Sequence, residues 1–440
     1  MNQYAQMIRK LKTPAVMKTL TCLYGHRNGM LVEQTARYTH ILKRHEEFVH
    51  SDEPVFLVSA PGRTEIGGNH TDHNKGKVLA AAVNLDALAA VSRRGDNLVR
   101  VFSDGYDPLE INLADLSIRK EETGTTASLI RGVAAKLQEL GYQVGGFEAV
   151  VNSTVRVGSG LSSSAAFEVL ICAIYDVLYN GWVLDPRVRA QIAQYAENSY
   201  FGKPCGLMDQ MASSVGGLTF IDFKDDAVKI VELSYDFARK GFALVVVNTG
   251  GSHDDLTPEY AAIPTEMCAV AACFGEKHLR RVRSEQFMQS IPLLRERLKD
   301  HGAERAIMRA AHYFAENKRV EEELEALQND DLPSFLRSVI ESGNSSFMYL
   351  QNICSKEGGQ ELALALMFAE RKLRGKGAWR VHGGGFAGTT LNFVPHQELE
   401  GFLQGMEAIF GEHSCCVLDI RPDGAAYLDL NEAKPCLHES

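Results

Sequence analysis

The sequence predicts an α+β fold that is divided between two closely packed domains. The chain has 440 residues, of which 45% are hydrophobic and 23% charged, and this length suits two ordinary hydrophobic cores better than one. Short apolar runs of strand character alternate with longer segments in which apolar residues recur at helical spacing. We find no internal repeat, low-complexity tract or proline-rich linker, so we expect the two halves to contact each other directly.

An extension and a first domain make up the N-terminal half of this prediction. Residues 1–50 are polar and helix-prone, with a break at 25–29, and they precede the first strand-like run. We therefore predict a helical extension over 1–50 and a first domain over 51–216. The elements expected in this domain are strands at 55–60, 78–91 and 147–155 and helices at 127–140, 164–178, 186–200 and 207–215.

A second domain is predicted over 217–440, after the Gly216-Gly217 pair. Its charged middle part, between about 260 and 342, has the spacing of long helices. The other elements expected here are strands at 218–222, 243–248, 389–393 and 416–420 and a helix at 398–409.

The charge and the cysteine usage restrict the partners and the compartment. The net charge of -10 argues against a nucleic-acid partner and against an anionic membrane surface, since both attract basic proteins. The N-terminus has no uninterrupted apolar segment of signal-peptide length, and no run approaches a membrane span. The nine cysteines fit reduced thiols better than a disulfide framework. We expect a cytoplasmic protein, and the sequence leaves the oligomeric state open, a monomer included.

A glycine- and serine-rich motif joins a predicted strand to a predicted helix. Its residues are Gly158, Ser159, Gly160, Leu161, Ser162, Ser163, Ser164 and Ala165. Glycines let the backbone approach a ligand closely, and the N–H groups at a helix N-terminus attract phosphate. The motif therefore predicts a site for nucleotide phosphates, and serine caps on a buried helix are the plainer alternative.

Three further motifs share the chain with this one. They are Gly62-Arg63 followed by His70-Thr71-Asp72 and Gly76-Lys77-Val78-Leu79, then Pro204-Cys205-Gly206-Leu207-Met208-Asp209-Gln210, and finally Gly383 to Gly388. In their order along the chain, the four motifs resemble those of the GHMP sugar kinases and, among them, those of the galactokinase family. The resemblance implies the two-domain GHMP kinase fold, with an S5-like N-terminal domain, a ferredoxin-like C-terminal domain and an active site in the cleft between them.

Phosphoryl transfer requires a bound nucleotide, a metal ion on its phosphates and an aligned acceptor hydroxyl. The resemblance implies that the serine motif binds ATP and that Ser164 and Glu197 are the Mg²⁺ ligands, in keeping with the preference of Mg²⁺ for oxygen. Asp209 begins a predicted helix, where the dipole favours its ionised form, and an ionised carboxylate can accept a proton from the acceptor hydroxyl. Arg63 can stabilise that carboxylate and the transferred phosphoryl group. A helix-capping acid and a surface ion pair are the plainer alternatives for Asp209 and Arg63.

The sugar side of the site is also implied by the resemblance. The positions concerned are Asn69, His70, Asp72, Gly206 and Tyr260. Galactokinases have a glutamate where this chain has Asn69, and that glutamate accepts a hydrogen bond from the sugar 6-hydroxyl. A neutral amide would not repel a carboxylate at C6 and could donate to it, so we expect relaxed selectivity at this carbon.

The motifs indicate a small-molecule kinase, and the resemblance implies an ATP-dependent sugar 1-kinase that converts galactose and ATP to galactose 1-phosphate and ADP. Two alternatives stay open at this point. One is a kinase for a related sugar altered at C6, such as galacturonate or L-arabinose. The other is a galactokinase-like sensor that binds sugar and nucleotide without transferring phosphate, although the serine motif, Glu197, Arg63 and Asp209 are all present.

Overall fold

The computed structural model describes residues 2–49, 52–156, 158–225, 228–250, 257–299, 302–354, 359–386 and 388–430. Its strands are β1 (Phe56–Gly67), β2 (Lys77–Arg93), β3 (Leu98–Ser103), β4 (Leu109–Asn112), β5 (Phe147–Ser153), β6 (Leu218–Asp222), β7 (Lys229–Leu233), β8 (Phe242–Asn248), β9 (Ala378–His382), β10 (Thr389–Pro395), β11 (Cys415–Leu418) and β12 (Ala426–Leu428). Within the same ranges, no helix is long and apolar enough to cross a membrane.

The α-helices are distributed over the whole described chain. They are α1 (Gln3–Lys10), α2 (Pro14–Tyr24), α3 (Met30–Phe48), α4 (Thr126–Glu139), α5 (Ser163–Tyr175), α6 (Pro186–Tyr195), α7 (Met208–Val215), α8 (Thr257–Ala272), α9 (Ser284–Gln289), α10 (Ile291–Arg297), α11 (Ala303–Gln328), α12 (Leu332–Ser345), α13 (Glu361–Leu373) and α14 (His396–Phe410). Helices α5, α6 and α12 each continue into a π-helical turn, at Asp176–Asn180, Ala196–Phe201 and Ser346–Leu350.

The larger sheet has the strand order β12-β1-β2-β5-β3-β4, and β6 and β7 extend it from β2. Only β3 and β5 are paired in parallel among the described strands. Both faces of this sheet are covered by helices. Successive side chains of a strand point to opposite faces, so neighbouring residues pack in different cores. Val58 and Ala89 pack with α4, α5 and α6 in one core, whereas Leu57 and Leu88 pack with α1, α2 and α3 in another. The N-terminal extension is therefore one covering layer of this sheet.

The smaller sheet is antiparallel, with the order β11-β8-β10-β9. One face packs on α13 and α14. The other face shares a core with α11, α12 and the ends of β1 and β2, in which Leu79 of the larger sheet and Phe393 of the smaller one lie together. The two halves of the chain are thus joined by a common hydrophobic core.

The helical extension and nearly all predicted elements are present, with ends shifted by a few residues. The predicted boundary at 216 and 217 does not coincide with the division between the sheets. Strands β6, β7 and β12 follow it in sequence but belong to the larger sheet, because β6 pairs with β2 and β12 with β1. Seven described cysteines are free thiols, but Cys22 takes part in a disulfide bond, so the prediction of reduced thiols is wrong there.

Candidate active site

The structure brings Asp209 and Arg63, the two predicted catalytic residues, into direct contact. Asp209 lies in the first turn of α7, and Arg63 lies on β1, 146 residues away in sequence. The Arg63 guanidinium donates to both Asp209 oxygens, from Nε at 2.7 Å and from Nη2 at 2.9 Å. Ser162 Oγ donates to Asp209 Oδ2 at 2.6 Å. This forked contact fixes the plane of the carboxylate.

The charge of Asp209 is set by these neighbours. Burial raises the pKa of the Asp209 carboxyl, but the charge and hydrogen bonds of Arg63 and the bond from Ser162 lower it further, so the net pKa is below its ordinary value. About 30% of the Asp209 side chain remains exposed, against 8% for Arg63. Asp209 is therefore an ionised carboxylate that an incoming hydroxyl can reach.

The serine motif forms the turn that leads into α5. Ser162 precedes the helix with a left-handed backbone, at φ 60° and ψ 65°, which leaves its hydroxyl free to contact Asp209 instead of capping the helix. Gly160 has φ +72°, and a Cβ there would lie 2.2 Å from Thr389 Oγ1, so only glycine fits this close approach to β10. The Gly160 carbonyl accepts from Arg63 Nη1 at 2.5 Å. The turn is thus joined to the central ion pair.

Ser164 and Glu197 meet beside the same turn. Glu197 lies in the π-helical turn after α6, and its Oε1 accepts from Ser164 Oγ at 3.0 Å. Lys203 Nζ lies 3.3 Å from the same carboxylate oxygen. Two oxygen donors at this spacing fit a hard divalent cation that also binds phosphate. The described residues contain no cluster of three or more histidine, cysteine or acidic side chains that could hold a metal unaided, so the remaining ligands would come from phosphate and water.

Two predicted sugar-side residues, Asp72 and Gly206, are brought together. A Cβ at position 206 would lie 1.6 Å from Asp72 Oδ2, so this contact requires glycine. Both residues line a cavity of about 370 Å³, together with His73, Lys75 and the chain around Cys205. The cavity is large enough for a small polar ligand, and it adjoins the segment that carries Asp209.

The other three sugar-side residues contact the motif from Gly383 to Gly388, which we call the third glycine motif. Asn69 Nδ2 donates to Gly383 O at 2.7 Å, and Tyr260 donates its hydroxyl hydrogen to Gly385 O at 2.9 Å. His70 Nε2 lies 2.9 Å from Gly384 O, and it must be the donor because a carbonyl only accepts. Burial and nearby His73 lower the pKa of His70 to about 3, so its ring is neutral. Asn69 and His70 therefore join the first half of the chain to the second, whereas the Tyr260 bond lies within the second half.

The surroundings of Asn69 differ from those expected. Its side chain is buried, and its second amide hydrogen goes to Glu65 Oε1 at 2.8 Å. Its amide oxygen accepts from Asn352 Nδ2 at 2.9 Å and from Ser346 Oγ at 3.2 Å. All four hydrogen-bonding positions of the amide are thus occupied by protein. The expectation that Asn69 can donate to a C6 carboxylate has no support from this geometry.

Several residues near the site were not predicted from the sequence. Glu316 of α11 accepts from the backbone N–H of Gly68 at 3.0 Å and so holds the loop before His70. Gln210 and Glu168 lie beneath Glu197. Gln210 is the last residue of the motif that begins at Pro204, and its position next to Asp209 could have marked it as a site residue. Glu316 lies in a charged helix far along the chain, and no local pattern marks it.

This chain matches two family models and is similar in fold to solved structures. A family model described as the galactokinase galactose-binding signature matches residues 43–93, and one described as the GHMP kinases N terminal domain matches residues 128–217. A structure of Lactococcus lactis galactokinase complexed with galactose superposes with a TM-score of 0.77 at 22% identity, over 89% of this chain and 99% of that one. The mevalonate kinase of Methanococcus jannaschii superposes with a TM-score of 0.59 at 14% identity, over 83% of this chain and 98% of that one.

The fold and the motif order thus define a GHMP kinase, a class of small-molecule phosphotransferases. Sequence relatives narrow this class. The galactokinase of Streptomyces coelicolor is 32% identical over 367 residues, which cover 81% of this chain and 89% of the relative. That of Haemophilus influenzae is 32% identical over 356 residues, which cover 80% and 88%. The chain belongs to the galactokinase family, and the predicted family and α+β GHMP kinase fold are confirmed.

Proposed function

We propose that this protein is an ATP-dependent 1-kinase of galactose, which forms galactose 1-phosphate and ADP. The observation that carries the proposal is the forked contact between Arg63 and Asp209 beside the turn that opens α5. It places an ionised carboxylate that can accept a hydroxyl proton next to a helix N-terminus that attracts phosphate.

The proposed chemistry requires positioning and charge stabilisation more than covalent catalysis. Asp209 accepts the proton of the anomeric hydroxyl, or orients that hydroxyl towards the phosphorus. Arg63 keeps Asp209 ionised and stabilises negative charge on the transferred group. The residues from Gly158 to Ala165 bind the phosphates of ATP through backbone N–H groups and serine hydroxyls.

Ser164 and Glu197 are the proposed Mg²⁺ ligands. Their oxygens lie 3.0 Å apart, and both are of the hard type that Mg²⁺ prefers. The bound ion would neutralise charge on the ATP phosphates. Lys203, whose Nζ lies 3.3 Å from Glu197, supplies a second positive charge at this position.

Asp72 and Gly206 are proposed to line the sugar pocket, since they border a cavity that Leu207, two residues before Asp209, also lines. His70 and Tyr260 are proposed to shape its wall from their contacts with the third glycine motif. The proposed partners are a sugar and ATP. The net charge of -10 supports neither a nucleic acid nor a membrane as a further partner, and the proposed compartment is the cytoplasm. The oligomeric state stays open.

A second candidate is a kinase that also accepts sugars altered at C6. It is favoured by the residue type at position 69, because the resemblance to galactokinases implies a glutamate there and the neutral Asn69 would not repel a uronate. The Asn69 amide is buried and bonded only to protein, so this tolerance would come from the missing charge, and a pentose that lacks C6 would lose no contact with Asn69.

The proposal is tested by ADP release from ATP in the presence of galactose, galacturonate or L-arabinose, with kcat/KM compared across the three sugars. Galactose as the best substrate supports the main proposal. Comparable values for galacturonate or L-arabinose support the second candidate. Sugar binding without ADP release from any of the three would refute both and leave a sensor.

A further inference from the structure

Gln210 follows Asp209 in α7, and its side chain is buried at 0% exposure. Its amide nitrogen lies 2.8 Å from Glu197 Oε2 and 3.1 Å from Glu168 Oε2. An amide nitrogen carries two hydrogens, so one can be donated to each carboxyl group. Gln210 thus connects α5, which carries Glu168, to the π-helical turn that carries Glu197.

The two oxygens of Glu197 have separate partners as a result. Oε2 accepts from Gln210, while Oε1 lies 3.0 Å from Ser164 Oγ and 3.3 Å from Lys203 Nζ. A carboxylate that is held at one oxygen cannot turn freely about its terminal bond. Oε1 is therefore kept on the side of the serine motif, where the phosphates are proposed to bind.

The polar atoms around Gln210 are only partly satisfied. The Gln210 carbonyl oxygen and the second oxygen of Glu168 are buried without a hydrogen-bond partner among the described residues. Each unsatisfied group of this kind costs about 1–3 kcal/mol. An apolar side chain of the same length would also leave Glu197 Oε2 and Glu168 Oε2 without the donor that they share, so the amide matters for the placement of these carboxyl groups.

We propose that Gln210 is a positioning residue for the divalent cation, which holds Glu197 through Oε2, with Glu168 as its anchor, so that Oε1 and Ser164 face the metal. The inference rests on the proposed function, because it presupposes Glu197 and Ser164 as ligands. Partners of metal ligands commonly contribute ~10–100-fold to metal affinity.

The test compares the affinity of ADP with and without Mg²⁺, measured by calorimetry on the full chain. In wild type we expect Mg²⁺ to tighten ADP binding. In Gln210→Met we expect this enhancement to fall by about tenfold, while the affinity for ADP without Mg²⁺ stays within about twofold. Gln194→Met is the matched control. Gln194 donates to Cys205 O at 3.1 Å, and within the described part of the chain it is Gln210 whose amide donates to Glu197 and Glu168. We expect it to keep the wild-type enhancement.

Three further variants complete the test. Glu168→Gln keeps an oxygen acceptor for Gln210 and should retain the enhancement, whereas Glu168→Met removes the anchor and should lower it. This pair tests the inference even if Gln210→Met does not fold. An unchanged enhancement in Gln210→Met, or equal behaviour of the two Glu168 variants, would overturn it. Glu197→Gln distinguishes a failure of this inference from a failure of the proposed function. An unchanged enhancement in that variant would refute the proposed metal site itself.

Discussion

Asp209 owes its charge to residues from two distant segments of the chain. Arg63 and Ser162 both donate to it, so its pKa stays below the ordinary value in spite of burial. We predict that Asp209→Asn lowers turnover by at least ~10²-fold, the usual size of a lost acid–base contribution. The affinity for ADP should stay within about twofold, as measured by calorimetry.

Asp222 provides a matched control for this substitution. It also accepts two bonds from one arginine, since Arg280 Nη2 lies 2.9 Å and 2.7 Å from its two oxygens. Asp222→Asn should leave turnover near the wild-type value. Wild-type turnover in Asp209→Asn would remove Asp209 from the mechanism.

Asn69 illustrates how a motif residue can be structural. Its two amide hydrogens go to Glu65 and to Gly383 O, and a carboxylate could donate to neither. We predict that Asn69→Asp lowers the free energy of unfolding by at least ~2 kcal/mol, because it buries a second carboxyl group beside Glu65 and leaves Gly383 O without its donor. Chemical denaturation measures this loss. Asn28→Asp, at an exposed position, should change stability by less than ~0.5 kcal/mol, and an equal loss in both variants would contradict the prediction.

At the level of elements, α11 supports the motif from Gly62 to Leu79 through Glu316. Glu316 accepts from the backbone N–H of Gly68 and of Asn69 and from Arg319 Nε. Burial raises its pKa, but Arg319, His312, Arg380 and the Ser342 hydroxyl outweigh burial and bring the pKa to about 2. The folded state therefore binds this proton more weakly than the unfolded chain, so the stabilisation is present above pH ~4.5 and is lost as the pH falls towards ~2.

The pH dependence of stability tests this role of Glu316. We predict that Glu316→Gln lowers the free energy of unfolding by about 3 kcal/mol at pH 7, since one unit of pKa corresponds to ~1.4 kcal/mol. The difference from wild type should shrink when denaturation is repeated at decreasing pH. A difference that does not depend on pH would show that the carboxylate charge is not the cause.

How far the sequence alone reaches can be judged from particular elements. Helix α7 and the strand-to-helix turn at α5 follow from local spacing and from glycines at fixed positions, so Asp209 and the serine motif were placed correctly on their elements. The pairing of β6 with β2 and of β12 with β1 was not predicted, because no local pattern encodes a partner strand. For the same reason Glu316 and Glu168 were missed, since their roles depend on contacts across the fold. The assignment of individual residues to ATP, Mg²⁺ and the sugar remains a prediction.

At the level of the whole molecule, Asp86 joins the N-terminal extension, the larger sheet and the last segment. It lies on β2 and is fully buried. Arg37 Nη1 of α3 contacts it at 2.6 Å, Tyr24 Oη of α2 at 2.6 Å, and Arg421 Nη1 at 2.9 Å. The extension is therefore bound through charge as well as through its apolar face.

Replacement of Arg37 tests this connection. We predict that Arg37→Met lowers the free energy of unfolding by about 3 kcal/mol, because it leaves a buried carboxylate short of a partner. The KM for sugar should stay within about twofold, since the network lies outside the site. Arg27→Met removes an exposed pair with Glu33, and such pairs contribute at most ~1 kcal/mol. Equal losses of stability in the two variants, measured by denaturation, would contradict the prediction.

The position of β12 has a consequence for synthesis on the ribosome. β1 carries Arg63, yet one of its edges is completed only by Ala426–Leu428, which are translated after every other strand described. The emerging chain therefore exposes an unpaired strand edge, and Asp86 lacks its Arg421 partner during this period. Such edges invite pairing with other chains. The strand that carries Arg63 thus reaches its final surroundings last, although it is among the first to be made.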